Sequence, residues 1–150
     1  MRAVLDTNVV ASALLWGGTP GRLIELAGDR ALELATSEAL IAELAGILNR
    51  PKFAEKLTQK NLSVIEVVAQ YRALAETIEA APIEQSALRD PDDEAVIGCA
   101  LAARADLIVS GDQDLLVLKT YGRIRLVSAA EALRIVAAQP AARDDSGLGT

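Results

Sequence analysis

Chemistry first becomes legible in this 150-residue chain where an apolar stretch stops on a carboxylate. Arg2-Ala3-Val4-Leu5 reads as a short buried strand, and it ends abruptly in Asp6-Thr7-Asn8. Asp6 is therefore expected at the carboxyl end of a strand, the edge of an open α/β sheet where ligands bind. Ala105-Asp106-Leu107-Ile108-Val109-Ser110 repeats the pattern and runs at once into Gly111-Asp112-Gln113-Asp114. In a parallel sheet both strand ends fall on one edge, which gathers Asp6, Ser110 and Asp112 there. Each has a plainer use as well. Asp6, Thr7 or Asn8 can cap a helix, Asp112 can cap the helix that follows it, and Asp114 can be a first-turn acid.

Helical spacing picks out two further acids. Leu40, Ile41, Leu44, Ile47 and Leu48 mark a buried stripe that Glu43 flanks. A glutamate at that border can reach into a cleft or lie on the surface with its stem along the helix. In Asp90-Pro91-Asp92-Asp93-Glu94, Asp90 reads as an N-cap, Pro91 as the first helical residue, and the acids after it as complements to the helix dipole. Asp93 precedes Ile97, Ala100 and Leu101 by four, seven and eight residues, which centres it on the expected buried face and leaves Asp92 well off it.

Composition limits what these acids can do. With no histidine and a single cysteine, Cys99, the chain has no internal disulfide, no soft-ligand metal site and no Ser-His or Cys-His pair. Chemistry must run on carboxylates, hydroxyls, lysine or arginine. A net charge of −6 argues against a broad basic surface for nucleic acid, although carboxylates that hold a divalent cation invert their local charge. Gly17-Gly18-Thr19-Pro20-Gly21 is no phosphate loop, since it lacks the Gly-Lys-Ser/Thr ending and no strand leads into it. A hydrolase with an aspartyl nucleophile needs a second aspartate two residues after the first, where this chain has Asn8.

The elements that must position these residues alternate. Strands are expected at 2–5, 32–36, 77–79, 105–110 and 124–127. Between the first two, Val9 to Leu15 is a covered connection or the first turns of a helix, and a helix capped by Thr19, with Pro20 at its first position, ends near Gly28. Ser37 caps the helix that carries Glu43. A helix from Pro51 carries Phe53 and Leu57, and another is marked by Leu62, Ile65, Val68, Ala69 and Leu74. Ser128 and Glu131 have capping-box spacing before a helix from Ala129 to Ala138. The alternation predicts one α/β domain, residues 1–139, with a sheet covered on both faces and residues 140–150 as a flexible tail. No apolar run nears the roughly 20 residues that span a bilayer, and no secretory signal opens the chain, so the protein is expected in the cytoplasm and away from membranes.

The same residues resemble the PIN-domain nucleases, in particular the bacterial toxin-like branch related to VapC ribonucleases. The resemblance covers roughly Met1 to Val136. It is carried by Val4-Leu5-Asp6-Thr7-Asn8-Val9, by Glu43-Leu44 with Leu48-Asn49-Arg50-Pro51-Lys52-Phe53, by Arg89-Asp90-Pro91-Asp92-Asp93 with Ala100-Leu101, and by Val109-Ser110-Gly111-Asp112-Gln113-Asp114-Leu115-Leu116. It implies a PIN-like parallel sheet of four to five short strands sandwiched between helices, with an acidic pocket at its carboxyl edge. Carried over residue by residue, the catalytic and metal-binding acids fall on Asp6, Glu43, Asp93 and Asp112. Asn8 and Ser110 match polar helpers, and Asp114 is close enough to Asp112 to assist. Ser110 stands where threonine is common, and Glu94 where this branch often has asparagine. The implied activity is cleavage of RNA with Mg²⁺, for which Mn²⁺ substitutes, and hard carboxylate oxygens suit both ions. The implied partners are a cognate antitoxin and a second copy of the chain. A degenerate domain that binds RNA or a protein without cleaving is the alternative.

Overall fold

Alternation along the central strands decides the layering. In β1 (Arg2–Leu5), Ala3 and Leu5 enter one apolar cluster and Val4 the other. In β4 (Leu107–Val109), Leu107 and Val109 join the first and Ile108 the second, as the period of two in a strand requires. The computed structural model describes residues 1–80 and 91–139, the side chains of 91–93 excepted. Further strands are β2 (Glu33–Ser37), β3 (Ala75–Ile78), β5 (Thr120–Tyr121) and β6 (Ile124–Val127), and the sheet order is β3-β2-β1-β4-β6-β5. Five strands are parallel, as expected, and β5 pairs antiparallel with β6 at one edge. That two-residue strand was not foreseen. It exists because Gly122, at φ 60°, turns the chain straight back into β6.

Helices cover both faces. One is packed by α1 (Thr7–Leu15), α2 (Gly18–Gly28), α3 (Glu38–Ile47), α4 (Pro51–Lys60), α5 (Val64–Leu74) and α8 (Ala129–Ala137), with Leu15, Leu23, Leu44, Phe53, Tyr71 and Val136 among the buried residues. The other is packed by α6 (Pro91–Ala103) and the single turn α7 (Gln113–Leu116), through Val96, Ile97, Cys99, Ala100, Ala103 and Leu115. Strands run toward one edge and the connecting helices return, so the strand ends that carry acids share that edge.

Several boundaries differ from expectation for local reasons. The stretch after Asn8 is a helix from Thr7 onward. α2 starts at Gly18, not Pro20, because Gly17 and Gly18 at φ 78° and 61° make the bend after α1. Pro20 then sits in the first turn, where no N–H is needed. In α5 the capping box of Ser63 with Glu66 fixes the start, and the buried residues are Val67 and Tyr71. Ile65 and Ala69 face outward instead, Ile65 being 81% exposed. Of two apolar stripes offered by Val64-Ile65-Glu66-Val67-Val68, the helix buries the one that includes its largest side chain. The proposed cap at Asp90 and the proposed tail 140–150 lie outside the described residues.

Tyr71 is fully buried, and its hydroxyl has no hydrogen-bond partner among the described residues. Burial pushes its phenol pKa up, so the ring is held neutral. Tyr71→Phe removes the unpaired hydroxyl and keeps the packing. It should raise stability by about 1 kcal/mol, or about 2–4 °C in a thermal melt. A lower melting temperature would show that the hydroxyl is satisfied.

Candidate active site

The site is built where β1 and β4 end side by side. Leu5 pairs with Val109, and the Asp6 N–H donates to the Val109 carbonyl at 2.8 Å, which locks the two strand ends in register. Ser110, only 1% exposed, is thereby brought against Asp6, and its Oγ donates to Asp6 Oδ2 at 2.8 Å. The same Oγ accepts from the Asp112 N–H at 3.0 Å, while the Ser110 N–H donates to the Val127 carbonyl at 3.0 Å. One hydroxyl therefore ties the acid after β1 to the loop after β4. Asp6 occupies the N-cap position of α1 by backbone geometry, yet its side chain makes no capping bond. The carboxylate is turned to Ser110 instead.

Asp112 takes the plainer of the two uses the sequence allowed. It follows the β4 end by one glycine, and its Oδ1 accepts from the Asp114 N–H at 2.9 Å as the N-cap of α7. Asp114 is exposed in the first turn of that helix, and Asn8 is exposed on the first turn of α1.

Glu43 and Asp93 are delivered by helices that begin at this edge. α3 follows β2 directly, its N-terminus capped by Ser37 Oγ, which accepts from the Leu40 N–H at 3.3 Å. Glu43 comes six residues after that cap, about 9 Å along the axis. It is half-buried, with Oε1 enclosed. α6 ends at the opposite edge, where the Ala103 carbonyl accepts from the Arg2 side chain, so its first turn, with Asp92 and Asp93, returns to the carboxyl edge. The side chain of Asp93 lies outside the described residues.

The buried face of α6 is rotated from expectation. Leu101 is 37% exposed, while Cys99 and Ala103 are buried beside Val96, Ile97 and Ala100. Those small residues let α6 lie close on β1, β2 and β4. Helical phase alone consequently no longer separates Asp93 from Asp92.

Among the described residues no three acids form a group that could share a metal ion. The donor chemistry of the four acids nevertheless fits a hard cation, with carboxylate oxygens and no imidazole or accessible thiol. Cys99 is buried, and burial, opposed by a hydrogen bond to Ser37 and the Arg2 charge, pushes its thiol up to about 11. It is neither ligand nor nucleophile.

A mostly parallel α/β sheet with an oriented acid at the β1 end, a serine and acid after β4, and acidic helices converging on the same edge defines the class. The PIN domain family model matches residues 2–114, and the chain belongs to the PIN-domain family. Among solved structures, the fold is similar to a chain in the crystal structure of VapBC2 from Rickettsia felis bound to a DNA fragment from their promoter. That match has a TM-score of 0.55 and 18% identity, and covers 84% of this chain and 97% of that one. No curated protein matches the sequence.

Two features of the structure were not read from the sequence. Ser110 was assigned as a helper without its bond to Asp6, since the partners are 104 residues apart. Trp16, the one tryptophan, gathers lysines from α4.

Proposed function

We propose that this PIN domain is a divalent-metal-dependent ribonuclease that hydrolyses phosphodiester bonds within RNA, and that it is the toxin of a toxin–antitoxin pair. The observation that supports this most is the Ser110 hydroxyl, which holds Asp6 Oδ2 at 2.8 Å and the Asp112 N–H at 3.0 Å. Oriented carboxylates at a sheet's carboxyl edge are what a metal nuclease requires. Asp6, Glu43, Asp93 and Asp112 would hold Mg²⁺, with Mn²⁺ able to substitute, and Asn8, Ser110 and Asp114 would support them. When bound, such an ion lowers the pKa of water and stabilises charge on the phosphate and leaving oxygens. Ser110 keeps the Asp6 carboxylate in one orientation, and the Asp112 cap fixes the loop that carries the second acid.

The cognate antitoxin and a homodimer built on helical surfaces belong to the same proposal. Ile65 and Leu101 are apolar residues exposed on α5 and α6, at 81% and 37%, and are available to such contacts. A cytoplasmic setting agrees with the described helices, none of which is long and apolar enough to cross a membrane. A domain that binds RNA or a protein without cleaving is the second reading. It is favoured by the engagement of Asp112 Oδ1 as a helix cap.

Labelled RNA incubated with purified protein decides between them. Cleavage should require Mg²⁺ or Mn²⁺, stop with chelator and be lost in Asp6→Asn, and Mn²⁺ should raise the melting temperature of the parent only. Cleavage that survives chelator or Asp6→Asn would sink the metal mechanism, and binding without any cleavage would establish the second reading.

A further inference from the structure

Trp16 closes α1 as its C-cap, with its N–H donated to the Ser12 carbonyl at 2.9 Å, and the residue remains 46% exposed. The ring of Phe53, itself buried, meets it edge-on with centroids 5.6 Å apart and planes at 67°. The indole is therefore both exposed and fixed in orientation. Lys52 Nζ lies 5.6 Å and Lys56 Nζ 5.7 Å from the centre of its ring. Lys52, Lys56 and Lys60 follow at four-residue spacing along α4, and none forms an ion pair among the described residues. In a chain of net charge −6, this is a local reversal of sign around its only tryptophan.

We infer that Trp16 with Lys52 and Lys56 forms a docking site for single-stranded RNA, a base stacking on the indole while the two ammonium groups take the adjacent phosphates. The inference rests on the ribonuclease reading above, whose substrate it would hold one helix length away from Asp6. Aromatic platforms flanked by cations recur where single strands are bound without sequence preference, because every base has a face to stack. Lysines lying over an exposed ring can turn outward to phosphate without breaking an ion pair. A duplex would offer phosphates but no free base face. An acidic peptide would satisfy the lysines and leave the indole unused, and a peptide bringing arginine to the ring would meet their repulsion. The nine residues of α1 separate Asp6 from Trp16, about 15 Å along the axis, a span that a few nucleotides cross.

Trp16 is its own reporter, since no other tryptophan is present. The full chain in chelator, where cleavage is off, is titrated with a short uridine oligomer while indole fluorescence is followed. Quenching should saturate and weaken with salt. By anisotropy of the labelled oligomer, Lys52→Ala with Lys56→Ala should lower the slope of log affinity against log salt by about 1.4, two single-strand phosphate contacts. Trp16→Ala should weaken binding about ten-fold, with Trp16→Phe restoring most of it. Lys119→Ala with Arg123→Ala removes the same charge elsewhere and serves as the control. The inference is overturned if the oligomer fails to quench, if the control pair costs as much as the lysine pair, or if polyglutamate quenches where RNA does not, which would make the occupant a protein. Quenching with no cleavage of any RNA when metal is added would remove the nuclease reading and leave the docking site standing.

Discussion

Ser110→Ala is expected to cut RNA cleavage about 10–100-fold, the usual cost of losing a group that orients a metal ligand. The wild-type hydroxyl donates to Asp6 Oδ2 and accepts from the Asp112 N–H, so one substitution releases two parts of the site at once. Its cost in stability should be small, about 1 kcal/mol, because both bonds are only partly buried. Activity and stability thus separate. Ser110→Thr keeps the hydroxyl and suits a strand end, so most activity should return. Single-turnover cleavage and the Mn²⁺-induced rise in melting temperature are the two measurements. Full activity in Ser110→Ala would mean that Asp6 is positioned without this hydroxyl, and failure of the threonine variant to recover would point to packing around a residue only 1% exposed.

Strand ends were legible because an apolar run that stops on an acid is a local pattern: β1 ends at Leu5 as expected, and β4 at Val109, one residue before the expected Ser110. The choice between capping and chemistry at Asp6 was not local. Asp6 has the N-cap backbone of α1, and what turns its carboxylate away is Ser110, brought from 104 residues off by strand pairing. Asp112 shows the opposite outcome, since the cap it makes to Asp114 N–H is local and could be read directly. Helix faces were legible where one stripe dominates, as in α3, whose Leu40, Ile41, Leu44 and Ile47 are all buried. They were misread where two stripes compete. In α5 the buried Tyr71 decides, and in α6 the small Cys99, Ala100 and Ala103 allow close approach to the sheet and rotate Leu101 outward. The cationic platform was invisible for a third reason: Trp16 and Lys52 meet only because α1 packs against α4.

Four asparagine variants rank the paired acids, and the largest effects are expected at Asp93 and Asp112. Asp112→Asn should be folded and inactive: asparagine caps a helix about as well as aspartate, so the Asp114 N–H keeps an acceptor while the anionic oxygen is lost. Asp114→Asn should remain substantially active, because it removes only a first-turn charge from a single helical turn, worth about 0.3–1 kcal/mol. For Asp92 and Asp93 the packed face of α6 gives no ranking. With Cys99 and Ala103 buried and Leu101 exposed, the packed face of α6 is centred between the phases of Asp92 and Asp93, so helical spacing does not choose. What favours Asp93 is the match of Asp90-Pro91-Asp92-Asp93 to the PIN pattern, within the 2–114 region covered by the family model. Asp93→Asn is therefore expected to lose cleavage together with the Mn²⁺ stabilisation, and Asp92→Asn to lose neither. An active Asp93→Asn beside an inactive Asp92→Asn would reverse the assignment and place the neighbouring acid at the metal, and equal loss in both would mean that the first turn of α6 supplies two carboxylates to the site.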